Sequence, residues 1–249
     1  MNNTVYAFLL TSLAGFSTII GYFVIYLKKK NYNSIIVCSL SFASGVMICT
    51  SITDLIPESL ILLNNNLSFL TTISLCLLGI IFGIVLSMII DYYVPDNFNN
   101  NKSLFRIGII SMIAIILHNI PEGIATFMAS SNNIKLGTSL AIAIAMHNIP
   151  EGITISVPIY FSTGNKKTAL LYTVISGLSE PFGAFLAFIF LKNIINDIIL
   201  GVILSSIAGI MLQISFKTLL PSTKKYSEKK KTIIFFIIGI LFMLFRFIL

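Results

Sequence analysis

"HNIPEG" occupies residues 118–123 and returns letter for letter at 147–152. Each copy interrupts a greasy run, "SMIAIIL" at 111–117 before the first and "LAIAIAM" at 140–146 before the second. An imidazole and a carboxylate set inside such runs carry different meanings in a soluble core and in a lipid bilayer. The class of the chain therefore has to be decided first.

Composition decides it. The 249 residues are 56% hydrophobic and 10% charged, with a mean hydropathy of +0.97. Soluble domains carry about 25% charged residues, so a water-exposed surface for this chain would lack the polar groups to cover it. Apolar runs of about 20 residues, enough to cross the hydrocarbon at about 1.5 Å per residue, recur from end to end. The first, Val5 to Leu27, is too long for a cleaved signal core and has no basic segment before it, so it reads as a retained span. Cys38, Cys49 and Cys76 each fall within an apolar run. They read as small buried hydrophobes, not as a disulfide framework or thiolate metal site.

The expected fold is an all-α integral membrane protein, one transmembrane domain over 1–249. Its eight helices are expected at about 4–27, 34–63, 69–94, 104–130, 134–163, 167–191, 194–220 and 232–249, separated by polar or Pro/Asn-rich links. The net charge of +7 resides mostly in those links: "KKK" at 28–30, "NKK" at 165–167 and "KKYSEKKK" at 224–231. Basic links on one side of a bilayer mark the cytoplasmic face, which accounts for the charge without nucleic acid. With the 28–33 link inside, the links at 95–103, 164–166 and 221–231 are also inside. Lys135, Lys192 and Arg246 then lie near the outer face, and both termini are outside.

Against those spans the nine acidic residues separate into groups. Asp96, Asp197 and Glu228 lie in links or at span ends, whereas Glu122, Glu151 and Glu180 lie near the centres of spans four, five and six. An ionisable group at the bilayer centre costs at least about 2.5–3.5 kcal/mol, so its default reading is functional. Both histidines, His118 and His147, accompany these glutamates. His118 to His147, Glu122 to Glu151 and Glu151 to Glu180 are each 29 residues apart. That is one helix plus one short connection, so antiparallel neighbours return the motif to one depth.

Within each motif, His and Glu at i and i+4 share a helix face, with Cβ atoms about 5–6 Å apart, a spacing suited to one cation. Pro121 and Pro150 each remove a backbone hydrogen bond, tolerated at membrane depth only beside protein or water. Gly123 and Gly152 permit close helix approach. "SEPFG" at 179–183 again sets a glutamate beside proline with a glycine following. In span two, Met47, Ser51, Asp54 and Glu58 fall at i, i+4, i+7 and i+11, a stripe leading outward. Asp91, at the inner end of span three, is either an exit position for a cation or an interfacial charge. Packing accounts for Met47 and Ser51 as well as ligation does, and Gln213 reads equally as an interhelical hydrogen bond.

At these residues the chain resembles the ZIP family of divalent-metal transporters, and within it the bacterial ZupT-type branch. The likeness is carried by "ILHNIPEGIATFMASSNN" (116–133), "AMHNIPEGITISVPIYFSTGNKKTA" (145–169) and "ISGLSEPFGAFLA" (175–187). It extends to "FASGVMICTSITDLIPESL" (42–60) and "LAGFSTIIGYFV" (13–24). The resemblance implies a metal site made by His118 and Glu122 from helix four and Glu151 from helix five, with His147 joining or flanking it. It implies a second, adjacent position at Asn119, Asn148 and Glu180, bridged by Glu122 and Glu151. Met47 and Asp54 match positions near the metal path, and Glu58 and Asp91 complete the candidate pathway. Eight helices, termini outside, a homodimer in the plasma membrane and uptake toward the cytosol are implied as well. The segment "VPDNFNNNKSLFR" departs from relatives that carry histidines in that loop.

Nitrogen and oxygen ligands without thiolate suit zinc, iron(II), manganese, cobalt or cadmium as transported substrate, with no prosthetic group expected. The alternative of an intramembrane metal-dependent hydrolase has a water-activating chemistry to offer. It lacks the H-E-x-x-H pattern and any further nucleophile or base beside the site.

Overall fold

The computed structural model describes residues 3–27, 32–94, 100–191 and 196–245. The "KKK" link, most of the 95–103 link, Lys192 and Arg246 lie outside them. Among the described residues there is no β-strand, as expected for a chain that must satisfy every backbone group within its own segment. The helices are α1 (Asn3–Tyr26), α2 (Tyr32–Asn64), α3 (Phe69–Tyr93), α4 (Asn100–Asn132), α5 (Ile134–Thr163), α6 (Lys166–Phe190), α7 (Asp197–Tyr226) and α8 (Lys229–Phe245). Seven of them are long and apolar enough to cross a membrane. The 17 described residues of α8 rise about 25 Å at 1.5 Å each, just under a hydrocarbon thickness of about 30 Å.

Short polar residues set the boundaries. Asn133, Asn165 and Asn196 cap α5, α6 and α7, their side-chain oxygens accepting from Leu136, Lys167 and Ile199 backbone N–H groups at 3.2, 2.9 and 2.9 Å. Gly164 closes α5 in the left-handed region (φ 66°), which only glycine enters without strain. Cys38, Cys49 and Cys76 are buried thiols.

Prolines shape the interiors. Pro181 has no N–H to bond Gly177, so α6 breaks between Gly177 and Ser179, and the second segment, Ser179–Leu186, carries Glu180 in its first turn. Pro57 and Pro221 each follow a π turn, Ser51–Leu55 in α2 and Ser215–Leu219 in α7. There Ile56 bonds back to Ser51 and Leu220 to Ser215, widening the turn ahead of a residue that cannot donate. The π turn alters the outward stripe of α2. Regular i+7 and i+11 spacing does not hold past Thr50. Met47 and Ser51 are buried, Asp54 is half-buried and Glu58 is exposed.

Helix α1 packs with α4, α5 and α6, while α2 packs with α8 and α7 with α3. Glycines let backbones touch inside each group. A Cβ on Gly152 of α5 would stand 1.9 Å from the Thr18 carbonyl of α1, and one on Gly123 of α4 would stand 2.1 Å from the Glu180 carbonyl of α6. In the other group Gly239 of α8 meets Phe42 of α2, and Gly209 of α7 meets Ile80 of α3. Between the groups runs an aliphatic seam, with Leu40 and Met47 of α2 and Ile207 and Met211 of α7 in one cluster with Ile115 of α4 and Ile155 of α5. Arg106 of α4 reaches across it to α3, 3.1 Å from Asp91 Oδ1, and donates to the Asp91 and Val94 carbonyls at 2.6 and 3.0 Å.

The Gly152 contact yields a test. Gly152→Ala is expected to destabilise the purified protein by about 1–3 kcal/mol, the usual cost of overpacking, read as a lower thermal midpoint in detergent. A midpoint equal to the parent's would show that α1 and α5 separate at no cost.

Candidate metal site

Residues 118–123 lie midway along α4 and 147–152 midway along α5. Both helices continue through their prolines. The missing donors at Pro121 and Pro150 nevertheless leave the Leu117 and Met146 carbonyls without their i+4 partners. Each motif thus loosens the helix at the level where its side chains must meet.

Seven polar side chains gather at that level. His118, Asn119, Asn148, Glu151 and Glu180 are fully buried, and Glu122 and His147 are 3% and 4% exposed. The pairing is crosswise. His118 Nε2 of α4 donates to Glu151 Oε1 of α5 at 2.8 Å. His147 Nε2 of α5 lies 3.3 Å from the Glu122 carboxylate of α4. The i,i+4 spacing sets each histidine on one face with the glutamate of its own helix; the hydrogen bonds run between the helices instead. Neighbours on one helix face point side by side, whereas antiparallel helices bring each imidazole opposite the other's carboxylate.

The third glutamate is joined through an amide. Asn148 donates through Nδ2 to Glu180 Oε1 of α6 and to the Ala14 carbonyl of α1 at 2.9 Å. Helix α1 is therefore part of the site, and sequence reasoning assigned it no role. Its signal was the small-residue run Ala14, Gly15, Ser17, Thr18 and Gly21. The run lets α1 approach so closely that a Cβ on Gly15 would stand 2.5 Å from the Gly177 carbonyl and 3.0 Å from the Glu180 Cβ.

Ligand capacity remains after these bonds. His118 Nδ1, His147 Nδ1, Glu151 Oε2, Glu180 Oε2, Asn148 Oδ1 and both polar atoms of Asn119 are buried and have no hydrogen-bond partner. In a neutral imidazole that donates through Nε2, Nδ1 carries the lone pair. A carboxylate on the opposite nitrogen fixes that tautomer, as around many metal-bound histidines. Among the described residues no three His, Cys, Asp or Glu side chains converge as a preformed ligand shell; they are turned toward one another in pairs. Unsatisfied oxygen and nitrogen this deep is costly, and a divalent cation is the species that satisfies several such atoms at once.

The candidate pathway residues make contacts of their own. Met47 packs in the aliphatic seam. Ser51 donates to the Met47 carbonyl at 2.8 Å, and Asp54 accepts from Thr53 at 3.0 Å. Asp91 stands in the ion pair with Arg106.

The family model described as "ZIP Zinc transporter" matches residues 98–246. The chain is 38% identical to the zinc transporter ZupT of Clostridium perfringens over 271 aligned residues, covering 98% of this chain and 95% of the relative. It is 39% identical to ZupT of Streptococcus mutans, over 95% and 94% of the two chains. ZupT of Campylobacter jejuni is 38% identical, with the same coverage.

Crosswise pairing predicts which residues are coupled. In a double-mutant cycle, His118→Ala with Glu151→Gln is expected to show a coupling of about 1–3 kcal/mol, and His118→Ala with Glu122→Gln distinctly less. Chemical unfolding in detergent measures both. Equal couplings would mean that the same-helix pair dominates.

Proposed function

The chain belongs to the ZIP family of zinc transporters, and we propose that the buried cluster of α4, α5 and α6 is where zinc is held as it crosses. It is a multi-pass membrane protein that transports divalent metal, and it is not an enzyme; the hydrolase reading is set aside. The observation that carries the site assignment is the crosswise pair of hydrogen-bonded histidine and glutamate side chains, closed off from solvent, with unpartnered ligand atoms beside it.

In this reading His118, Glu122, His147 and Glu151 form the central ligand set. Glu180, Asn148 and Asn119 make an adjacent position sharing the two motif glutamates. Borderline nitrogen and hard oxygen donors favour zinc and extend to iron(II), manganese, cobalt and cadmium. Movement is inward, from an outer face bearing both termini to a cytoplasmic face bearing the lysine-rich links, in the plasma membrane. A divalent ion moving down a potential of about 100 mV gains about 4.6 kcal/mol, enough to drive uptake without another energy source.

The cluster has no open side, so zinc enters only when helices part. Within the group of α1, α4, α5 and α6, backbone contacts through glycine resist separation. The aliphatic seam against α2 and α7 has weaker directional bonds, and it is the surface over which we place the movement. Met47, Asp54 and Glu58 of α2 would flank the outer approach, and Asp91 the inner exit once its pair with Arg106 opens. The α8 helix completes an eight-helix bundle. The outward apolar face of α3, with Leu77, Leu78, Ile81 and Phe82 exposed, is where a second copy or lipid would lie.

Zinc-65 uptake into liposomes of the purified protein tests the assignment. Glu122→Ala and Glu151→Ala are expected to reduce uptake to the level of empty vesicles; uptake at the parental rate in both would remove the cluster from the path. Zinc binds histidine and carboxylate in their deprotonated forms. Binding measured by calorimetry should therefore weaken as pH falls from 7 toward 5.5, and pH-independent affinity would exclude these ligands.

A further inference from the structure

The short hairpin that joins α7 to α8 carries a charge that transport does not use. Lys217, Lys224, Lys225, Lys229, Lys230 and Lys231 lie within fifteen residues, with Glu228 as the single carboxylate. All six lysines are exposed. Glu228 pairs with Lys231 at 3.0 Å, and Lys231 also donates to Ser34 Oγ of α2 at 2.8 Å.

A topology signal needs only charge in a loose link. This link is folded. Lys224–Tyr226 form a 3₁₀ turn and Ser227 adopts the left-handed conformation (φ 55°). Its N–H bonds back to the Lys224 carbonyl at 3.3 Å. Thr232 Oγ1 bonds Thr223 Oγ1 at 3.3 Å, tying the start of α8 to the end of α7. The lysines are thereby held on two sides of one closed turn. Those in the first turn of α8 sit where the helix macrodipole is positive and N–H groups lack helical partners, the least favourable end for a cation. An anion there relieves both the side-chain repulsion and the helix end.

Apolar surface adjoins the charge. Phe216 beside Lys217 is 54% exposed, and Ile233 and Ile234, directly after the lysines of α8, are 59% and 53% exposed. A phosphate that carries an acyl tail meets both surfaces; a free phosphate meets one. We propose that this hairpin binds the phosphate headgroup of anionic phospholipid while the tails lie along Phe216, Ile233 and Ile234. Lysines near an anionic membrane surface each add to its attraction, so several held together prefer an anionic lipid to a zwitterionic one.

The test compares the full-length protein with K224Q/K225Q/K229Q/K230Q, which leaves Lys231 and its partners in place. Retention of phosphatidylglycerol against phosphatidylcholine is read by native mass spectrometry, and thermal protection by each lipid is read in mixed micelles. The parent is expected to bind phosphatidylglycerol more tightly than the variant by at least about tenfold. That preference should vanish in about 1 M salt, where the screening length is about 3 Å. Zinc-65 uptake in phosphatidylcholine vesicles should be the same in both proteins and serves as the folding control. If the quadruple variant fails that control, Lys229→Gln with Lys230→Gln carries the same comparison. Equal phosphatidylglycerol binding by parent and variant would overturn the proposal. Equal protection by inorganic phosphate would also overturn it, by making the ligand a soluble anion.

Discussion

Carboxylates cannot lie unsolvated in the middle of a bilayer-sized bundle without partners, and the arrangement of α1, α4, α5 and α6 follows from supplying them. Glu151 is held by His118 and Glu122 is faced by His147. Glu180 receives the Asn148 amide, whose other hydrogen goes to the α1 backbone at Ala14. Four helices are thus drawn together by one polar knot. The knot closes only if the backbones come within carbonyl contact, and that distance explains why Gly15, Gly123 and Gly152 have no side chains to spare. Polar partners and glycine contacts are two sides of one constraint: shallow helices permit short side chains to reach across.

Much of this was legible in the letters, because cost in lipid is so large. Charge scarcity and recurrent apolar runs fixed the all-helical membrane class, and the 29-residue offset placed three glutamates at a common level. Depth, however, is a one-dimensional quantity. The crosswise pairing of His118 with Glu151 depends on how α4 faces α5, and spacing along one helix carries no information about that. The share of α1 was missed for a related reason: Ala14 contributes a backbone carbonyl, and every residue has one. The outward stripe of α2 was drawn on a regular helix, but the turn ahead of Pro57 is a π turn, Ser51–Leu55, and shifts the register past it.

That widening has a counterpart. Ser51 and Pro57 in α2 are matched by Ser215 and Pro221 in α7, each pair enclosing one π turn. The two turns lie against the opposite helix, since α7 packs on the π turn of α2 and α2 on that of α7. Helix α2 is also the wall that faces α5 across the seam. These two π turns thus lie in the group that flanks the polar cluster; α6 has another at Ala187–Leu191 beyond its break, whereas α4 and α5 run through their own prolines without a change of helix type.

The resting pairs also bear on affinity. A transport site has to release its cargo, and a closed shell of four thiolates would hold zinc too firmly for that. In the proposed site the candidate ligands begin engaged with one another, so bringing them onto one cation would mean giving up or reorienting buried hydrogen bonds. Charge-assisted bonds of that kind are worth about 1.5–3 kcal/mol each, and their loss is set against the metal–ligand energy. If zinc is held there, its release would let the same bonds re-form and leave the carboxylates partnered again. On that reading the pairs would offset the cost of an empty charged site and lower the affinity of a filled one. A site that merely stored metal would gain nothing from His–Glu pairs poised to replace it.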